Sequence, residues 1–353
     1  MSQPAKALGS FSCPLPVPAG ERIVLGHGSG GTLSADLLRK VFLPAFENAT
    51  LSRLDDQAIV SINGCRLAFT TDSFVVKPLF FPGGDIGSLA VHGTVNDLAM
   101  GGAKPLFLSA AFILEEGLPL ETLHRIVNSF HKAAAAAGVE VVTGDTKVVE
   151  KGSCDGLFVN TSGIGLVPDG VKLSADQARP GDRIVLSGPI GEHGIAILAQ
   201  REGLDLQTPL ASDSAALHEL VAAMQGTGAR LRCMRDPTRG GLSSALNEIA
   251  ARSRAGMTLD ERSIAVREEV RGVCELLGLD PLYVANEGKL VAIVDANDAE
   301  KLVAAMRENP LAREAQIIGT VTGENPGLVV MRTTLGTTRI VDMLAGDQLP
   351  RIC

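Results

Sequence analysis

Tryptophan is absent from the 353 residues, Tyr283 is the single tyrosine, and aromatic residues make up 3% of the chain. Single-stranded nucleic acid therefore finds no stacking platform here. Positive charge is scarce too: 32 Lys and Arg stand against 40 Asp and Glu, a net charge of −8, and the basic residues are scattered. Without a basic stripe a duplex backbone is not a partner either. No apolar run approaches the roughly 20 residues that span a bilayer, so no membrane partner is expected. Residues 1–21 carry Pro4, Pro14, Pro16 and Pro18 but no apolar signal core, and read as a flexible N-terminal extension. Closely spaced cysteines are also lacking. The nearest two of the six, Cys233 and Cys274, are 41 residues apart, which fits neither a zinc or iron–sulfur site nor a disulfide framework. Reduced thiols in the cytoplasm are expected.

What is present is a globular composition, with 45% hydrophobic and 20% charged residues and 39 Gly. The length suggests two domains and the pattern an α/β protein. Ala58–Ile62 and Leu67–Thr71 read as strands joined by the Asn63-Gly64 turn. Pro105–Leu114, Val139–Thr143 and Leu157–Val167 read as further strands, with helices over Leu33–Phe42, Asp85–Met100 and Leu120–Ala137. The stretch near 170–180 divides the chain. Beyond it Arg183–Ser187, Lys289–Asp295, Gln316–Val321 and Leu328–Arg332 read as strands, and helices are expected near 193–201, 214–224, 241–253, 266–277 and 298–307. The predicted domains are 22–170 and 171–344, with 345–353 a mobile tail.

Gly26-His27-Gly28-Ser29-Gly30-Gly31 satisfies G-x-G-x-x-G between a strand-like stretch and a helix, the context of a dinucleotide fingerprint. The next segment, Asn48–Leu54, is not the buried β-branched run of a central parallel strand. No P-loop occurs either. The loop is instead read as a mobile element that touches phosphate.

The predicted helix Asp85–Met100 is apolar nearly all round. Asp97, eleven residues after Ile86, returns to within about 20° of it. A carboxylate on a buried helix, far from either end, needs a partner or a metal. Asp72 follows the strand Leu67–Thr71, and Asp145 follows Val139–Thr143. Each alone is more often a turn or cap residue; converging, they would repel unless Mg²⁺ joined them to substrate phosphates. Lys147, two residues past Asp145, points to the same side of a continuing strand, ready for a phosphate. Together with Asp55 or Asp56 these residues suggest nucleotide–magnesium chemistry without a P-loop.

At these residues a resemblance appears. Gly26–Gly31, Thr71–Val76 with Pro78–Gly87, Asn96–Ala99, Thr143-Gly144-Asp145-Thr146-Lys147, Asn286-Glu287-Gly288-Lys289 and the final Pro350-Arg351-Ile352-Cys353 resemble the HypE family of hydrogenase-maturation proteins. That family lies within the aminoimidazole-ribonucleotide-synthetase-like ATP-binding superfamily. The resemblance implies a homodimer whose N-terminal domains build a central barrel, a C-terminal α/β domain, and ATP near the interface. It implies an ATP-dependent dehydratase acting on its own tail. A carbamoyltransferase loads the thiol, ATP drives removal of water, and the resulting thiocyanate passes cyanide to an iron-carrying hydrogenase-maturation scaffold complex. In Arg235-Asp236-Pro237-Thr238-Arg239-Gly240-Gly241, Pro237 stands where alanine is common in the family. It restricts Asp236 to extended geometry and argues against a defined role for it.

On this reading Asp56, Asp72, Asp97 and Asp145 hold magnesium, while Gly28, Gly30, Gly31, Asn96, Asp97, Gly144, Asp145, Thr146 and Lys147 contact the nucleotide. Glu287 is the candidate base, against the plainer reading of a loop residue paired with Lys289, and His193 stands second. Cys353 carries the cargo. A tail of nine residues extends about 30 Å, the reach of a swinging arm, and a prenylation box would need the cysteine fourth from the end. Two alternatives remain open: another synthetase or kinase of the superfamily, or a non-catalytic carrier presenting Cys353.

Overall fold

The computed structural model describes residues 22–204, 210–346, 349 and 351–353. The expected N-terminal extension, and Asp347, Gln348 and Pro350 of the tail, lie outside the described residues.

The first sheet joins β1 (Ala58–Ile62), β2 (Cys65–Phe74), β5 (Lys104–Glu115), β6 (Glu140–Val149) and β7 (Leu157–Leu166) in the order β1-β2-β7-β5-β6. Two short strands, β3 (Phe80–Phe81) and β4 (Gly84–Asp85), pair separately. The β5–β6 pair is parallel and the others antiparallel. Parallel pairing requires a crossover, which α4 (Leu120–Ala136) supplies. The Ile126 and Phe130 side chains of α4 close one core with Ile86, Leu89, Val91 and Val95 of α3 (Ile86–Met100) and with Leu108, Leu157 and Val159 of the sheet. Asp85 caps α3 by accepting from the N–H groups of Gly87 (2.8 Å) and Ser88 (3.1 Å). This helix is buried all round, as its sequence predicts.

Strand alternation leaves an apolar outer face on the same sheet. Phe69, Ile164 and Phe107 stand in one cross-strand row over β2, β7 and β5, and they are 45%, 39% and 39% exposed.

The second sheet has seven strands in the order β14-β13-β10-β12-β8-β11-β9. They are β8 (Arg183–Leu186), β9 (Leu231–Arg235), β10 (Gly256–Asp260), β11 (Val291–Val294), β12 (Gln316–Thr322), β13 (Val329–Arg332) and β14 (Thr338–Ile340). Both faces are covered. Ile184, Leu186, Val291 and Ile293 meet Leu242, Leu246 and Ile249 of α7 (Gly241–Ser253). The alternate residues Val185, Ala292 and Val294 meet α6 (His218–Gly226) and α9 (Ala299–Arg307). The mixed α/β architecture agrees with expectation. β9, β10 and β14 escape the sequence pattern: β9 is interrupted by Arg232 and Arg235, whose charges are paired with Asp182, Asp295, Asp56 and Glu248.

Candidate functional site

A cavity of about 490 Å³ opens between the two sheets' domains. Each part of the chain reaches it for a local reason. β2 runs on to Phe74, so Asp72 is an interior strand residue rather than one following the strand. Gly93 of α3 makes room beside it, since a Cβ there would come within 2.9 Å of the Phe74 ring and 3.7 Å of Asp72 Oδ2. Asp97 projects from α3 and Asp56 from the loop before β1. After β9 the chain delivers Asp236 and Arg239, and the loop before β11 delivers Glu287; all of these, with Gly30 and Cys353, line the cavity. Gly30, at φ +76°, packs so closely that a Cβ would lie 2.5 Å from the Arg239 carbonyl oxygen. Arg239 in turn donates to the Gly28 carbonyl (3.2 Å).

The cavity is crowded with acid. Burial, together with mutual repulsion, pushes Asp56 and Asp97 well above the usual carboxylate range. Burial also raises Asp72, against the pull of Arg239, and brings Asp236 to about 6. Thr70 Oγ1 lies 2.8 Å from Asp97 Oδ2 and 3.0 Å from the Asp56 carbonyl oxygen. A hydroxyl has one proton to donate, so both contacts hold together when Asp97 is itself protonated. Arg235 answers Asp56 at 3.0 Å and Glu248 at 2.8 Å.

Glu287 differs from these. It is 2% exposed, its Oε1 has no hydrogen-bond partner, and burial with the nearby Asp236 charge raises it well above the ordinary value. It is not paired with Lys289, whose ammonium is taken by Asp213 (3.0 Å) and Glu192 (3.2 Å). The plain loop-pair reading therefore fails.

The end of the chain is docked. The Val75 N–H donates to the Cys353 carbonyl (2.9 Å), Ile352 is 3% exposed, and burial pushes the Cys353 thiol up to about 12 while Arg239 pulls the other way.

Other expected site residues lie elsewhere. Asp145 and Lys147 pair with each other at 2.6 Å with side chains 62% and 68% exposed. β6 continues to Val149, so Asp145 is a mid-strand residue on an exposed edge, and Thr146 shares that edge. Gly144 serves strand pairing, as a Cβ there would collide with the Ala110 carbonyl oxygen. Asn96 is spent internally: its amide donates to Ala215 and Glu287 carbonyls and its oxygen accepts from Leu217. His193 is fully buried and kept below its ordinary value by burial, with Nδ1 2.7 Å from Ser212 Oγ and Nε2 3.0 Å from the Ile352 carbonyl oxygen. It holds the tail rather than facing the cavity. Gly31 packs directly on the Leu344 carbonyl oxygen, where any Cβ would collide, and Gly28 is open. Asp236 and Arg239 are the residues sequence reasoning undervalued. Asp236 follows directly on β9, which ends at Arg235, and lines the cavity with Pro237 next to it in sequence.

The donor set suits a hard divalent ion, being oxygen-only and relieved of repulsion by a cation. Among the described residues no three such groups converge closely enough to enclose an ion unaided. Phosphate oxygens and water would complete the shell.

Comparison with known proteins places this geometry. Residues 54–167 match the AIR synthase related protein N-terminal domain and residues 179–331 its C-terminal domain. A carbamoyl dehydratase HypE of Cupriavidus necator is 57% identical over 344 residues, covering 97% of this chain and 98% of its own. The chain belongs to the HypE family. Its fold matches that of HypE in a HypE–HypF complex with a TM-score of 0.83 and 48% identity, over 87% of this chain and 99% of the other. HypE solved in complex with ATP matches at 0.80 with 49% identity, over 94% of this chain and all (100%) of that one.

Proposed function

We propose that this chain is an ATP-dependent carbamoyl dehydratase that converts an S-carbamoyl group on Cys353 to a thiocyanate, supplying cyanide for the iron of NiFe-hydrogenase. The observation that carries it is the meeting of Cys353 and the unpartnered Glu287 in one acid-lined cavity. The HypE–ATP relative supports ATP as co-substrate.

An amide oxygen is a poor leaving group. Attack of the carbamoyl oxygen on the γ-phosphorus releases ADP and turns that oxygen into phosphate. The nitrogen gives up both hydrogens as protons, the C–O bond breaks with loss of phosphate, and C≡N remains on sulfur. Asp56, Asp72, Asp97 and Asp236 would hold Mg²⁺, which when bound neutralises triphosphate charge. Arg239 faces Cys353 and stabilises negative charge growing on the cargo oxygen. Glu287, desolvated and raised above the ordinary carboxylate range, is a stronger base than a free carboxylate and would take a proton from the cargo nitrogen. Asp145, Thr146 and Lys147 would reach a nucleotide only from a partner's edge strand, which fits a homodimer closing over the Phe69–Ile164–Phe107 row. A carbamoyltransferase would load Cys353, as the HypE–HypF complex suggests for its own HypE, and the iron-carrying scaffold complex would accept the cyano group. Among the described residues no helix is long and apolar enough to cross a membrane; a cytoplasmic site of action follows from the reaction's partners.

The test is mass spectrometry of the peptide bearing Cys353 after carbamoylation and ATP addition. Loss of the mass of one water supports the dehydratase. An unchanged carbamoyl mass leaves only a carrier.

A further inference from the structure

We propose that Asp155 is a positioning residue: by capturing the Arg351 guanidinium it seats the tail so that Cys353 enters the cavity. Asp155 stands just before β7, and among the described residues it is the one carboxylate ion-paired with Arg351. Around that pair the tail is held on all sides. Arg351 Nε and Nη2 donate to the Val75 carbonyl at 3.2 and 3.1 Å, and the guanidinium lies 5.6 Å from the Phe158 ring centre. Arg201 Nη2 donates to the Arg351 carbonyl (2.8 Å) and to that of Lys77 (2.8 Å). His193 and Val75 then take the carbonyls of Ile352 and Cys353.

The backbone gives a reason for the side-chain anchor. Arg351 sits at φ 54°, a left-handed conformation that a long side chain adopts only when its surroundings hold it there. The turn sends the Arg351 side chain toward Asp155 while Ile352 and Cys353 continue inward. Because Val75 follows directly on β2, which carries Asp72, the clamp and the acid cavity share one strand and their register is fixed. The pair is also releasable. Asp155 is 39% and Arg351 26% exposed at the side chain, and Lys77 holds the other Asp155 oxygen at 3.1 Å, so the carboxylate keeps a cation when Arg351 leaves. A thiol that must be loaded outside and reacted inside needs a contact of this kind, strong enough to seat and weak enough to open.

The inference rests on the reading of Cys353 as the cargo thiol, but its test needs neither cargo nor ATP. Alkylation of Cys353 by iodoacetamide is followed by mass spectrometry in the full chain, with buried Cys233 and Cys274 as internal controls. Asp155→Asn should alkylate at Cys353 about fivefold faster than the parent, the yield of one screened ion pair. Asp155→Glu should restore the slow rate, and Lys77→Ala, which leaves Asp155 to Arg351, should not raise it. An unchanged Cys353 rate in Asp155→Asn, or a parallel rise at Cys233 and Cys274, overturns the proposal. If the alkylation pattern holds while carbamoylated protein and ATP yield no loss of water, the latch stands and the dehydratase reading falls.

Discussion

Asn96 donates through Nδ2 to the carbonyl oxygen of Glu287 at 3.3 Å. The same amide reaches the Ala215 carbonyl (3.0 Å), and its oxygen accepts from the Leu217 N–H (2.8 Å). One buried side chain thus ties the helix carrying Asp97 to the loop carrying Glu287, and sets the distance between the acid cluster and the unpartnered carboxyl. Asn96→Ala strands the Ala215 carbonyl and the Leu217 N–H in a dry interior, while the Glu287 carbonyl keeps the Ala215 N–H (3.3 Å), so about 3 kcal/mol of stability should be lost. Urea denaturation measures it.

Asp97→Asn separates stability from function. Asp97 is forced up by burial and by Asp72, Asp236 and Asp56, so an amide, which has no carboxyl to keep protonated against solvent, relieves the nucleotide-free protein. The variant should melt at a higher temperature than the parent yet bind Mg–ATP at least about tenfold more weakly. Calorimetric titration and a melting curve on the same sample decide it, and unchanged Mg–ATP affinity would remove Asp97 from the ion site.

For Asp236 the pH dependence has a definite sign. Its carboxyl is raised to about 6 from 3.8, so the folded chain takes up that proton before the unfolded one. Stability from this group is therefore greatest at low pH and declines as pH rises from about 4 to about 6. Asp236→Asn should accordingly stabilise the nucleotide-free protein most at pH 8, with the advantage shrinking as pH falls through 6. His92, lowered to about 4 by burial, acts in the opposite direction but is common to both proteins and cancels in the difference. A melting-temperature difference that grows on acidification contradicts this.

The sequence carried the parts of the site whose logic is local. Asp97 could be placed because a helix apolar on every face exposes its one buried acid, and β1–β2 because Asn63-Gly64 names the turn. What escaped depends on where a strand stops. Val139–Thr143 looks complete, with Gly144 as its end, whereas pairing with β5 carries β6 through Val149 and leaves Asp145 and Lys147 on an edge. Arg232 and Arg235 hid β9 because their ion-pair partners lie far along the chain. Pro237 argues from the sequence against a defined role for Asp236, yet Asp236 lines the cavity, because the end of β9 delivers it there whatever the neighbouring residue.

The outer row Phe69–Ile164–Phe107 should be an interface between two copies. Ile164→Arg puts a charge at its centre while the inner core of the sheet is untouched, since alternation keeps that residue off the α3 side. Sedimentation should move from dimer to monomer with the fold retained by circular dichroism. A parent protein that sediments as a monomer at micromolar concentration removes this interface from the account.

Glu287→Gln tests the base with shape preserved. Gln keeps the volume and one oxygen but cannot take a proton. Because Glu287 Oε1 has no hydrogen-bond partner to lose, folding should not suffer, and relief from Asp236 and Asp213 repulsion favours the variant's stability. Nucleotide binding should stay within about threefold of the parent, since the acid cluster is left intact. Single-turnover loss of water from carbamoylated Cys353 should slow by about 100-fold or more, the usual contribution of a positioned base. Its pH profile should also lose the limb set by Glu287. A variant that dehydrates at the parental rate would assign the proton to another acceptor, and the cavity's carboxylates nearest Cys353, Asp72 foremost, would be next in line.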